Sequence, residues 1–177
     1  MLYTGKGDTG TTKLFHCDQQ NISKSSEIPE ALGALDELNA FLGLVKMHAK
    51  HSARIAGAIR EMQEQLFIVQ AEVAGADKKI KKSTVTSIEK VIDEIEKEIP
   101  KITGFSIAGG TELSALLDVA RTLARRAERR VVSIQEAKLC KISSDTLAYL
   151  NRLSSLLFAI ARLANYQAGV AEEHPRY

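Results

Sequence analysis

The sequence predicts an all-α protein: a bundle of five helices behind a Gly- and Thr-rich N-terminal segment that is not helical. Apolar residues make up 45% of the 177 residues, aromatic residues only 5%, and proline occurs three times. Few prolines and long runs of apolar residues spaced by three and four favour helices. We expect one domain over residues 1–177, with the bundle at 27–169 and a polar tail at 170–177.

Composition also argues against several classes of protein. A net charge of +2 does not indicate a broad nucleic-acid surface. We find no N-terminal signal-like region and no apolar run of membrane-spanning length, so we expect a cytoplasmic protein without membrane association. Cys17 and Cys140 stand far apart without metal-ligand spacing, as reduced cytosolic thiols would. No helix carries Glu-x-x-His, which argues against a di-iron bundle.

The N-terminal segment contains three glycines and four threonines within residues 3–12. Such a loop can direct several backbone N–H groups and hydroxyls at one anion. It is not a Walker A loop, because Gly10 is followed by Thr11 instead of lysine. A mobile tail is the alternative, and a short extended piece is expected between residues 14 and 22.

The first helix is predicted from Ser26 to about His48, with Pro29 in its first turn. Besides its core stripe it has a face of small residues around Asp36, where another backbone can pack closely. Asp36 is either a solvated carboxylate or the partner of an arginine, within the chain or across subunits. Phe41 and Leu44 point away from the core stripe and suggest an intermolecular interface.

The apolar spacing of the second and third helices predicts that each packs one face against the core. A heptad seam predicts the second helix from Ser52 to Ala74, and the lysine-rich loop behind it is solvated or binds phosphate. Ser83 is expected to cap the third helix, which Pro100 ends.

A second Gly-rich loop at residues 103–111 precedes the fourth helix, which Thr111 can cap. Phe105 in this loop either plugs the end of the bundle or lies against a flat ligand.

The fourth helix has an apolar stripe edged by charge. Arg121, Arg125, Glu128 and Arg129 lie along one edge of that stripe, whereas Arg126 falls on the far side with Arg130. Guanidinium groups beside a core are costly unless paired. They are therefore either solvated or an anion clamp, since the forked geometry of arginine matches phosphate oxygens.

The fifth helix is predicted from Asp145 to Gln167 and closed by Gly169. Asn151 near its start is either a structural amide or a contact to a ligand shared with the fourth helix.

Taken together, these motifs resemble those of the PduO-type ATP:cob(I)alamin adenosyltransferases, in order and over nearly the whole chain. The matching stretches are Tyr3–Thr12, Gly33–Asn39, Gly109–Thr111, Arg121 with Arg125–Arg129, and Asn151–Ser154.

The resemblance implies a homotrimer with sites between neighbouring subunits. It implies transfer of the 5′-deoxyadenosyl group from ATP to cob(I)alamin with release of triphosphate. Magnesium is expected on the ATP phosphates, and no protein metal site is expected. Cobalt(I) is itself the nucleophile, so the protein needs only to position two large substrates and hold a polyanion. A cobalamin reductase and an adenosylcobalamin-dependent enzyme are expected partners.

The resemblance also implies residue roles. Residues 1–26 would form the nucleotide-binding loop, and Arg125 would be the main phosphate contact. Asp36 and Arg121 match an ion pair across the subunit interface. Phe105 matches an aromatic residue that displaces the lower axial ligand of cobalamin, which gives a four-coordinate cob(II)alamin that is easier to reduce. The full set of expected ATP contacts is Thr4, Gly5, Lys6, Gly7, Asp8, Gly10, Thr11, Thr12, Lys24, Arg125, Arg126, Glu128, Arg129 and Asn151.

Two other functions compete with adenosyl transfer. Another ATP-dependent transferase, such as a kinase, could use the same phosphate site, but the sequence shows no obvious base for a hydroxyl acceptor. A non-enzymatic protein that stores and delivers adenosylcobalamin would not need the intact set of phosphate contacts.

Overall fold

A computed structural model describes residues 2–14 and 22–176 of the chain, which fold as five helices and one small ladder of strands. The predicted five-helix, all-α class is therefore confirmed, whereas Cys17 lies outside the described residues. The elements are β1 (Thr11–Thr12), β2 (Ile22–Ser23), α1 (Glu27–His48), α2 (Ala53–Val73), α3 (Lys82–Glu98), α4 (Glu112–Glu136) and α5 (Ser144–Gln167).

The helices pack in the spatial order α2, α1, α4, α5, α3. Consecutive helices alternate in direction, so α3 and α5, which are neighbours, run parallel. Two contacts show this arrangement. Arg152 Nε donates to Glu89 Oε1 at 3.0 Å, and further along both helices Gln167 Nε2 donates to Glu98 Oε1 at 3.5 Å.

The core lies where α4 and α5 meet. Ala120, Ala124 and Ala127 of α4 are fully buried, and their small side chains let the flanking helices approach closely. The expectation that no run reaches membrane-spanning length is wrong for α5, which is long and apolar enough by composition. Because 67% of that stretch is buried inside the bundle, α5 is the core helix of the fold.

The start of α3 differs from the sequence prediction. Ser83 does not cap the helix, which begins at Lys82 with Lys81 at the N-cap position. Ile80 explains the shift: its side chain is buried, and its N–H donates to Thr146 Oγ1 on α5 at 3.4 Å. This tertiary contact fixes the entry of the chain and starts the helix before the serine.

The loop between α3 and α4 is fastened to α5 by Asn165. Its Oδ1 accepts the Thr111 N–H at 2.9 Å, and its Nδ2 donates to the Gly109 carbonyl at 3.0 Å. Gly110 has φ +93°, and a Cβ there would lie 2.5 Å from Asn165 Oδ1, so glycine is required. Thr111 caps α4 as predicted, its hydroxyl accepting the Ser114 N–H at 3.1 Å.

Candidate functional site

The charged edge of α4 borders an open cavity of about 420 Å³. Arg125 and Arg129 project from successive turns and are exposed. Within the described residues neither guanidinium makes a hydrogen bond or an ion pair. Two free guanidinium groups on one wall make this cavity attractive to an anion with several oxygens. The lining residues are Arg125, Glu128, Arg129, Val132, Ser133, Glu136 and Asn151.

Asn151 joins the cavity from α5, as the sequence analysis allowed. Its Nδ2 donates to Glu128 Oε1 at 2.9 Å, and its Oδ1 accepts from Arg152 Nη1 at 2.8 Å. Arg152 is held in turn by Glu89 of α3. Three helices therefore fix the amide orientation of Asn151, which gives the cavity one rigid polar wall.

Arg126 and Arg130 lie on the other flank of α4, beside α1. Arg126 Nη2 pairs with Glu37 Oε2, and Arg130 Nη2 lies 3.9 Å from Glu30 Oε2. Both side chains are exposed and away from the core stripe, as expected, but α1 supplies carboxylates to each. Within this chain Arg126 is therefore not part of the cavity that Arg125 lines.

The N-terminal loop is closed on itself by Lys24. Lys24 Nζ donates to the Gly7 carbonyl at 2.7 Å, and its backbone N–H donates to the Gly10 carbonyl at 3.0 Å. A Cβ at Gly7 would lie 2.8 Å from Lys24 Nζ, so a larger residue there would displace the end of the lysine side chain from this contact. The pairing of Thr11 with Ser23 completes the loop. These contacts favour an ordered loop over a loose tail.

Within one chain the loop and the arginine edge are near neighbours. A second cavity of about 270 Å³ is lined by Ser25, Glu27, Glu30, Arg130 and Ser133. Ser133 borders both cavities, so the residues that follow Lys24 reach the edge of the first one. Among the described residues, the hydrogen bonds of Thr4, Lys6 and Asp8 stay within the loop.

Asp36 and Arg121 do not pair within the chain. Asp36 is exposed and makes no hydrogen bond or ion pair among the described residues. Arg121 Nε instead lies 3.3 Å from Asp118 Oδ1 on its own helix. The small face of α1 is open at Gly33, where no described atom would come within 4 Å of a Cβ, whereas Gln63 lies 3.6 Å from a Cβ at Gly43. An intrachain partner for Asp36 is thereby ruled out within the described residues.

A buried charged network behind the site was missed from the sequence. Arg162 of α5 is 2% exposed, and its Nη2 donates to Asp118 Oδ2 at 2.6 Å and to Ser114 Oγ at 3.1 Å. Its Nη1 pairs with Glu172 of the tail. The available signal was an arginine inside the apolar stretch of α5, because such a residue needs a carboxylate nearby.

Phe105 does not plug the bundle, since its side chain is 77% exposed. It lies on the loop between α3 and α4, with Ile102 and Ile107 also exposed. An aromatic ring presented to solvent by a loop is available to a flat ligand.

The half-buried thiol of Cys140 and the buried hydroxyl of Tyr149 keep their protons at neutral pH. Burial, and next the nearby Glu72 carboxylate, raises the pKa of the Cys140 thiol. Burial, and next the charge of Glu61, raises the pKa of the Tyr149 hydroxyl. Both groups therefore act as neutral packing residues at neutral pH.

Known proteins resemble this chain in both sequence and fold. The family model for cobalamin adenosyltransferase matches residues 2–164. A corrinoid adenosyltransferase from Bacillus subtilis (strain 168) is 35% identical over 178 residues, covering 97% of this chain and 90% of that protein. Corrinoid adenosyltransferase PduO from Citrobacter freundii is 36% identical over 174 residues, covering 94% of this chain. The chain spans 50% of the length of that PduO protein.

A solved structure has the same fold. It is a phenylalanine-to-histidine variant of the PduO-type ATP:corrinoid adenosyltransferase from Lactobacillus reuteri, complexed with cobalamin and ATP. The two chains share 32% identity and superimpose with a TM-score of 0.91, over 99% of this chain and 97% of the other.

Proposed function

Because the chain belongs to the cobalamin adenosyltransferase family, it is an enzyme that transfers an adenosyl group from ATP to a corrinoid, and we propose that the arginine edge of α4 holds the triphosphate. The observation that carries this proposal is the pair of free guanidinium groups, Arg125 and Arg129, on one wall of the 420 Å³ cavity.

The reaction asks little covalent chemistry of the protein. The cobalt of cob(I)alamin attacks the 5′ carbon of ATP; a Co–C bond forms, the C5′–O bond breaks, and the triphosphate leaves with the bonding electrons. No general base is needed, because no proton is removed from the attacking atom. The enzyme must align two large substrates and stabilise the charge of the leaving group. Arg125 and Arg129 meet the second demand by charge-assisted hydrogen bonds to phosphate oxygens.

The remaining ATP contacts come from two sides. Asn151 and Glu128 form the rigid wall of the cavity and would contact the nucleotide there. The loop of Thr4 to Thr12, with Lys24, would wrap the rest of the molecule with N–H groups and hydroxyls. Arg126 lies on the side of α4 that faces α1. It would therefore contact an ATP molecule that binds on this side of the helix.

Magnesium would be held mainly through phosphate oxygens, as is usual for this ion. The carboxylates of Glu128 and Glu136 line the same cavity, so the residues present fit a magnesium-bound triphosphate. The ion would supply charge neutralisation at the phosphates, while the protein orients the sugar and the leaving group.

The complete site would lie between two subunits of a homotrimer. Asp36 is exposed and unpaired among the described residues, and it stands on a small-residue face that no part of its own chain covers at Gly33. Exposed Leu44 and Met47 extend this face. A neighbouring subunit's Arg121 side chain would supply the missing partner of Asp36, and its α4 would bring an arginine edge to the interface.

Phe105 would act on the corrinoid rather than on ATP. Its exposed ring lies on the loop that is held at the N-terminus of α4. From there the ring can occupy the lower face of cobalamin in place of the axial ligand. Cob(II)alamin would then be four-coordinate and easier to reduce to the nucleophilic cobalt(I) state. A cobalamin reductase would supply that electron, and an adenosylcobalamin-dependent enzyme in the cytoplasm would receive the product.

An anaerobic assay with chemically reduced cobalamin tests the function. With ATP present, we expect the cob(I)alamin spectrum to be replaced by that of adenosylcobalamin at a rate proportional to enzyme. A storage and delivery protein would bind adenosylcobalamin without forming it, and that outcome would reject the proposal.

A further inference from the structure

The loop that carries Phe105 is hydrogen-bonded to the C-terminal strap, which we define as residues 170–176. The Ile107 N–H donates to the Glu173 carbonyl at 2.8 Å. His174 Nδ1 lies 2.9 Å from the Phe105 carbonyl. A carbonyl can only accept, so the Nδ1 of His174 carries the hydrogen and donates to the residue whose ring is proposed to meet the corrinoid.

The strap is itself tied to the core through Glu172. One carboxylate oxygen of Glu172 pairs with buried Arg162, and the other accepts from Asn165 Nδ2 at 3.0 Å. Arg162 is held from its other side by Asp118 of α4 at 2.6 Å. A continuous chain of polar contacts therefore runs from α4 through α5 and the strap to the loop.

Apolar packing contributes little to the position of the loop. Ile102, Phe105 and Ile107 are 39%, 77% and 49% exposed. Behind the loop is a cavity of about 430 Å³, lined by loop and strap residues together with Tyr166. The buried Nε of Arg162 and the Oγ of Ser106, two residues that line this cavity, have no hydrogen-bond partner in the part of the chain that the structure describes. Asn165 holds the loop only at Gly109 and Thr111, so the part around Phe105, with a cavity behind it, depends on its hydrogen bonds to the strap.

We propose that Glu172 and His174 are positioning residues for Phe105: Glu172 anchors the strap and His174 holds the loop carbonyl that sets where the ring stands. The proposal rests on the proposed role of Phe105 at the corrinoid. Neither residue is expected to contact ATP. Disruption of the strap should therefore affect the corrinoid side of the reaction and spare the nucleotide side.

His174→Ala and Glu172→Gln test this, with Glu173→Ala as the matched control. The Glu173 side chain makes no hydrogen bond or ion pair among the described residues, and only its backbone carbonyl holds the loop, by accepting from the Ile107 N–H. Amide hydrogen exchange of the ligand-free protein measures how well the hydrogen bond of the Ile107 N–H is protected, and it requires no corrinoid. The amount of four-coordinate cob(II)alamin formed with saturating ATP measures the consequence for the site. His174→Ala keeps the test decisive, because it leaves the buried Arg162 pair intact even if Glu172→Gln unfolds the chain.

Loss of one hydrogen bond should speed exchange at Ile107 about five- to tenfold in His174→Ala. The four-coordinate signal should fall, the KM for ATP should stay within about twofold, and Glu173→Ala should match the parent. Equal exchange in His174→Ala and Glu173→Ala would overturn the proposal, as would faster exchange with an undiminished four-coordinate signal. If the parent itself forms no four-coordinate cob(II)alamin, the role of Phe105 fails, whereas the exchange result still decides whether the strap holds the loop.

Discussion

Replacement of Arg125 by alanine should weaken ATP use strongly while leaving the fold intact. The side chain is exposed and has no partner among the described residues, so its removal should change the free energy of unfolding by no more than about 0.5 kcal/mol. A charge-assisted hydrogen bond to phosphate contributes roughly 1.5–3 kcal/mol. That loss corresponds to a decrease of about tenfold to about 150-fold in kcat/KM for ATP.

Steady-state kinetics under anaerobic conditions, with ATP varied at saturating cob(I)alamin, measures the effect. Arg60→Ala is the matched control, since Arg60 is exposed on α2 and pairs with Glu64 of the same helix. Thermal unfolding of both variants separates loss of binding from loss of fold. If Arg125→Ala stayed within about twofold of Arg60→Ala in kcat/KM, the leaving group would not be held by this arginine.

Three further predictions concern other parts of the site. Phe105→Ala should lower the four-coordinate cob(II)alamin signal and leave ATP affinity unchanged; an undiminished signal would refute its role. Asp36→Ala and Arg121→Ala should each cost roughly 3–5 kcal/mol in assembly, as seen by sedimentation, and the charge-swapped double variant should recover part. Strictly additive losses with intact trimers would mean that the two residues do not meet. Asp118→Ala should lower the free energy of unfolding in urea by roughly 1–3 kcal/mol, because buried Arg162 Nη2 loses its carboxylate while Nη1 keeps Glu172; a loss below about 0.5 kcal/mol would contradict this.

The elements with strong local signals were predictable from the sequence. The period of the apolar residues located all five helices, and the hydroxyl of Thr111 marked the start of α4. The charged wall of the cavity was also predictable, because helical geometry alone places Arg125, Glu128 and Arg129 side by side on α4. Asn151 lies about two turns into α5, and its bond to Glu128 gives it the structural role that the sequence allowed, while a contact with a ligand stays a prediction.

Features that depend on pairing between distant residues were not predictable in this way. Arg162 lies 44 positions from Asp118, and nothing in the local spacing of either residue shows that they meet. The start of α3 was set by a contact of Ile80 with α5 rather than by the serine that a capping rule selects. In the same way, the strap residues looked like a polar tail until the hydrogen bonds of Glu172 and His174 showed what they hold.

The products of one turnover test the central claim most directly. Phosphorus NMR of the anaerobic reaction, combined with the adenosylcobalamin absorbance, gives the ratio of the two products. Attack at the 5′ carbon with the triphosphate held as one leaving group predicts one triphosphate for each adenosylcobalamin formed. Formation of ADP, or of diphosphate and phosphate in place of triphosphate during the transfer, would contradict the assignment of the arginine edge as a site for the intact triphosphate.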